Sequence, residues 1–119
     1  MKSPTARTLE RLRKVGWTAQ VVERWNAYAK VRVDLFGVID VVAIDSSVGI
    51  VGIQATSGSN MSARLKKSEA EPRLLTWLQS GGKFFVYGWR KLKKSNRWEV
   101  RVVEGVRSGD GIEWVEVNQ

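Results

Sequence analysis

Two polar residues stand where apolar ones are expected. In "FGVIDVVAIDSSVGIVGIQATSGSN", residues 36–60, Asp40 interrupts one run of Val and Ile, Gln54 interrupts the next, and Thr56 closes it. A turn over residues 45–49, centred on Ser47, sets Asp40 opposite Gln54 and Val38 opposite Thr56. Opposed side chains on neighbouring strands share a face, with Cβ atoms about 4.5–5.5 Å apart. Asp40, Gln54 and Thr56 then form one polar spot on an apolar face, and a one-residue slip in the turn would separate them. The simpler account is a satisfied buried pair, with Gln54 donating to Asp40. Burying an ionised carboxylate that way is costly unless it is further compensated. A divalent cation compensates it, because Mg²⁺ takes oxygen ligands and commonly uses one or two carboxylates plus waters. Asp40 offers one oxygen, the Gln54 amide a second and a nearby backbone carbonyl a third.

The residue types that are missing narrow the chemistry further. The chain has neither histidine nor cysteine. That excludes Ser-His-Asp and Cys-His nucleophiles, His-ligated or thiolate-ligated zinc, and any disulfide framework. A hydrolase built from this chain must work with carboxylates, amides, hydroxyls, lysine and a hard metal.

These residues need elements to hold them. Ser3-Pro4 reads as an N-cap with Pro at the first helical position, and Ala6, Leu9 and Leu12 recur at helical spacing, so a helix is expected over 4–15 with Gly16 as its stop. Trp17 to Trp25 reads as a strand. In residues 26–37, "VRVDLF" is consistent with more strand, and Gly37 with a bend. Val38–Ile44 and Gly49–Thr56 are apolar on both faces, which implies a sheet covered on both sides by helices or a partner. After "SGSN", where Ser59 or Asn60 can cap, Met61 to Leu78 reads as helix with a kink or break at Pro72. Lys83–Arg90 and Trp98–Val103 read as strands joined by the basic turn "KLKKSN", with an edge strand over Ile112–Val117. Residues 1–119 are thus expected to form one α/β domain, a mixed central sheet flanked by helices in the order αβββαβ, plus a C-terminal β-hairpin.

That order, with "IDVVAI" and "GIQATS", resembles the core of the PD-(D/E)XK nuclease superfamily over about residues 4–90, and within it the small archaeal-type Holliday junction resolvases and related phage proteins. The resemblance implies a restriction-endonuclease-like fold and a metal-dependent, structure-specific endodeoxyribonuclease that cuts branched DNA with Mg²⁺ or Mn²⁺. It puts the metal-binding Asp at Asp40, with Gln54 in place of the usual acid as second ligand. Glu10 matches the first-helix glutamate, and Glu23 is the other candidate. Asp34 is a further acidic ligand or an outer group. Thr56 stands where the family has a lysine that acts on the attacking water, and Thr carries no charge. Lys66, with Arg64 and Lys67, lies on the following helix, from which a basic group can reach back. The alternative is a catalytically weakened nuclease fold that only binds DNA. Resolvases of this type are homodimers, because two strands must be cut symmetrically.

Charge agrees with a polyanionic partner. Residues 33–56 hold Asp34, Asp40 and Asp45 and no basic residue, so against a net +8 the remainder carries +11. Arg7, Arg11 and Lys14 in "TARTLERLRK", Lys91, Lys93, Lys94 and Arg97 in "RKLKKSNR", and Arg64 and Lys67 are the expected DNA contacts, to phosphates more than to bases. No apolar stretch suits a membrane span or a signal peptide, so no membrane partner and a cytoplasmic, intracellular location are expected. Six Trp give aromatic surface for the core or for an oligomer interface.

Overall fold

In the computed structural model, residues 2–117 are described. Helix α1, Pro4–Lys14, begins as the capping signal requires, with the Ser3 hydroxyl accepting from the Ala6 amide at 3.1 Å and Pro4 at the first position. Gly16 ends it with φ 94°. Among the described residues, eight strands follow in chain order: β1 Thr18–Val21, β2 Arg24–Asn26, β3 Val31–Val33, β4 Val41–Asp45, β5 Gly49–Ser57, β6 Lys83–Lys91, β7 Trp98–Ser108 and β8 Gly111–Val117. A 3-10 turn, Gly58–Asn60, and two helices, α2 Met61–Glu69 and α3 Pro72–Gln79, connect β5 to β6.

Six strands form one mixed sheet in the order β1-β4-β5-β6-β7-β8. Every pairing is antiparallel except β5 with β6, which is parallel and bridged by the α2–α3 crossover. The domain is therefore α/β, with a mixed sheet and helices on both faces. Leu12 of α1 packs with Val41, Ala43, Val51, Ile53, Tyr87 and Val102 on one face. Met61 and Leu74 of the crossover helices pack with Val38, Ile39, Phe84, Val86 and Val103 on the other. Two buried faces explain why β4 and β5 lack the alternation of a half-exposed hairpin. Close approach of α2 needs Gly88, since a Cβ there would lie 2.6 Å from the Met61 sulfur.

The central register is the one read from the turn. Val41 pairs with Ile53 and Asp45 with Gly49, while Asp40, one residue before β4, lies outside that ladder, bonds the Ile53 carbonyl through its amide and reaches Gln54 through its side chain. Pro72 does end one helix and start another, because its ring cannot continue the preceding hydrogen-bond ladder. Three expectations need correction. The strand expected over Trp17–Trp25 stops at Val21, and Arg24–Asn26 instead pairs with Val31–Val33 as a separate two-stranded sheet. The strand expected from Val38 starts at Val41, because Leu35 bridges Ile39 in a tight turn first. Asn60 occupies the N-cap of α2, but its side chain makes no capping bond.

Candidate metal centre and its cleft

Backbone pairing builds the site around Asp40. Its amide donates to the Ile53 carbonyl at 2.9 Å, and its own carbonyl accepts from the amides of Val22 at 2.8 Å and Glu23 at 3.3 Å. The end of β1 is thereby laid beside Asp40, and Glu23 arrives with it. Asp34 arrives by a different route. The turn from Asp34 to Ile39 doubles back through two left-handed residues, Phe36 at φ 55° and Gly37 at φ 77°, and the Gly37 amide closes on the Asp34 carbonyl at 3.0 Å. Gly37 adopts that conformation without the steric penalty a Cβ brings. As a result Glu23, Asp34 and Asp40 offer carboxylate oxygens that all lie within 4.8 Å of one another.

Gln54 reaches the same spot from β5. Its Nε2 donates to Asp40 Oδ2 at 2.8 Å, and the Ala55 amide donates to the same oxygen at 2.8 Å. The satisfied pair suggested by the sequence is thus present, but it is incomplete. Gln54 is only 1% exposed, and its Oε1 is buried without a hydrogen-bond partner. A buried carbonyl left so costs about 1–3 kcal/mol. Thr56, also buried, shares the face but supplies no charge.

The electrostatics run the same way. Burial, and then the adjacent Asp34 carboxyl, push the Asp40 carboxyl up to about 8, against the opposing pull of the Ala55 and Gln54 hydrogen bonds. Glu23 is also raised, by burial first and by the Asp34 charge second, and Arg32 at 3.8 Å only partly offsets this. Burial beside Asp34 thus disfavours the ionisation of Asp40 and Glu23, and a cation among them reverses that preference. The cluster offers three carboxylates, all oxygen donors, with the Gln54 amide bonded to one of them; such a set suits a hard cation rather than a soft metal.

The cleft that holds this group encloses about 460 Å³. Pro4 and Thr5 of α1, Arg32, Thr56, Ser57, Asn60, and Arg64 and Lys67 of α2 line it together with the acids and Gln54. Of the residues singled out in the sequence, Asp34, Asp40, Gln54, Thr56, Arg64 and Lys67 therefore come together. Lys66 and Glu10 do not join them. Lys66 is exposed on α2 and is not part of the cleft lining. Glu10 lines another depression with Arg7, Arg11, Lys14 and Trp89, and it is exposed and paired with Lys2, which holds its carboxyl below the usual range. Glu23, the other candidate, lines the cleft instead. The signal for it was its position at the end of a strand antiparallel to the one Asp40 opens. That signal was hidden by reading 17–25 as one continuous strand.

Beyond the cleft, the basic segments adjoin one another. The Arg7 guanidinium lies 3.7 Å from the centre of the Trp98 ring, and Trp98 pairs with Lys91 at the start of β7. Trp89 Nε1 donates to Thr8 Oγ1 at 2.9 Å, which fastens α1 to β6. Arg7, which lines one depression with Arg11 and Lys14, thus meets the β6–β7 end, where Lys91, Lys93, Lys94 and Arg97 are exposed, while α1 runs back to the cleft at Pro4 and Thr5. The chain matches no family model, no curated protein and no solved structure.

Proposed function

We propose that this protein is a metal-dependent endodeoxyribonuclease of the PD-(D/E)XK kind that acts on branched DNA, as a resolvase does. The observations that carry the reading are three carboxylates whose oxygens lie within 4.8 Å of one another and, bonded to one of them, Gln54 with its Oε1 buried and unpartnered. A closed structural network would have left neither. Asp40, Asp34 and Glu23 would hold Mg²⁺ or Mn²⁺, with the Gln54 carbonyl as a neutral fourth donor. The ion's chemistry there is to polarise a scissile phosphate and acidify the attacking water.

The chain's own residues do the rest. Asp40 is fixed on both sides by backbone bonds and by the Gln54 and Ala55 donors, so its carboxylate keeps one direction. Arg64 and Lys67 share the cleft with the acids and supply the positive charge that Thr56 lacks. The guanidinium of Arg64 can pair two phosphate oxygens at once, which a lysine cannot. The adjoining basic side carries the flanking DNA through its phosphates, so binding falls steeply with salt. Two chains acting as a dimer would cut both strands of a junction. Among the described residues, no helix is long and apolar enough to cross a membrane.

The test is incubation with Mg²⁺ or Mn²⁺ and four-way, flapped, single-stranded and linear DNA, with Asp40→Asn as control. Symmetric nicking of the junction by wild type, lost in Asp40→Asn with binding retained, is the expected result. Tight binding with no cutting under either ion overturns the enzymatic reading and leaves a DNA-binding module. No binding at physiological salt overturns both.

A further inference from the structure

Between the two ligand candidates Glu23 and Asp34 the chain leaves the main sheet altogether. Residues 24–33 form the β2–β3 hairpin, with Trp25 opposite Arg32, and Asn26 opposite Val31. Its tip is fixed: the Asn26 side-chain oxygen accepts from the amides of Tyr28 at 3.0 Å and Ala29 at 3.1 Å, and Lys30 adopts φ 53°. Tyr28 stands 101% exposed and Trp25 59%. Arg24, Lys30 and Arg32 are interleaved with the two rings, and no acid lies between Glu23 and Asp34. One exposed aromatic needs no explanation. Two, set among three cations on a locked turn whose feet are the carboxylates of a cleft, have the form of a nucleotide platform, in which rings take base faces and cations take phosphates.

We infer that the β2–β3 hairpin is a stacking platform that selects unpaired nucleotides and presents their strand to the cleft. The inference rests on the nuclease reading for its partner class and deepens it by naming the substrate feature that is read. Bases in a continuous duplex stack on each other and offer no free face, so the platform discriminates for frayed, bulged, branched or single-stranded DNA. An anionic lipid surface also attracts Trp, Tyr and Lys. It requires a contiguous apolar face, however, and here Trp25 stands across from Arg32 and Val31 from Asn26.

The experiment uses the full chain in EDTA, so that nothing is cut. A short single strand carrying 2-aminopurine, and the same strand annealed to its complement, are titrated with wild type, Trp25→Ala/Tyr28→Ala and Trp25→Phe/Tyr28→Phe. Single-strand affinity should fall about tenfold or more in the alanine variant and be kept in the phenylalanine variant, with duplex affinity unchanged. The 2-aminopurine emission change on binding should vanish with the rings. Equal losses on both DNAs, or none on either, overturn the platform. Ring-dependent binding to phosphatidylserine vesicles, with single-strand affinity unchanged in the alanine variant, also overturns it. Failure of the two readings is separable. Ring-dependent preference without any Mg²⁺-dependent cutting sinks only the nuclease. Cutting that does not distinguish paired from unpaired DNA, with no ring dependence, sinks only the platform.

Discussion

The molecule has two short antiparallel hairpins close together in sequence and opposite in character. The β4–β5 pair lies in the middle of the sheet under helices on both faces, and its Val41, Ala43, Val51 and Ile53 are buried. The β2–β3 pair stands outside the sheet, and its Trp25, Tyr28 and Val31 are exposed. In the first, the informative residues are the polar ones, Asp40 and Gln54. In the second they are the apolar ones. Each hairpin is read best by the side chains that violate its surroundings, because a violation costs free energy that burial or solvation alone does not return.

Stability gives the sharpest way to break this contrast. Ile53→Ala should cost about 2–5 kcal/mol in urea unfolding, while Val31→Ala should stay within about 0.5 kcal/mol. Comparable costs would mean that the outer hairpin is covered after all.

The next largest effect separates two glutamates. Glu23→Gln should lower Mn²⁺-dependent cutting about ten- to a hundredfold, the scale of losing a partner at a metal site, and Glu10→Gln should leave it unchanged. The reverse ranking would move the site to α1.

Much of the central hairpin was legible in the sequence, because the turn centred on Ser47 sets its register. A separate signal, the absence of polar alternation, implied cover above and below. The outer hairpin was illegible for the opposite reason. Trp25, Val31 and Val33 carry strand propensity but no face that must be buried, so nothing in the pattern marks where the main sheet releases the chain at Val22. Glu23 was therefore named only as the second candidate, behind Glu10. Asp34 was named, but its approach to Asp40 depends on Phe36 and Gly37 turning left-handed, a conformation that the string "LFGV" permits without requiring. The reach of Arg64 and Lys67, rather than Lys66, depends on the rotation of α2 on the sheet, which Met61 sets by seating against Gly88.

A third effect is in pH. An unfolded Asp titrates near about 3.9, whereas Asp40 in the fold titrates near about 8. Between those values the folded state holds the extra proton, so stability falls as pH rises through that window. In EDTA, wild type should lose stability steadily relative to Asp40→Asn from about pH 4 to about pH 8, and Mn²⁺ should restore it. A pH-independent difference in thermal melts would show that Asp40 is not the strained group.

The smallest expected effect concerns Gln54. Replacing its neutral carbonyl by an acid, Gln54→Glu, should tighten Mn²⁺ about tenfold in calorimetry, since ligand charge tunes hard-cation affinity. No change would mean that Oε1 does not face the ion.

The parallel pairing of β5 with β6 joins Val51 to Lys83 across both crossover helices, and every residue lining the cleft, from Pro4 to Lys67, precedes that strand. During synthesis, which runs from the N-terminus at about 5–20 residues per second, the proposed ligand set leaves the ribosome before the strand that flanks Gln54 exists. A nascent chain would carry its acids as an open, solvated cluster, and the dry, mutually repelling arrangement comes into being only when β6 docks.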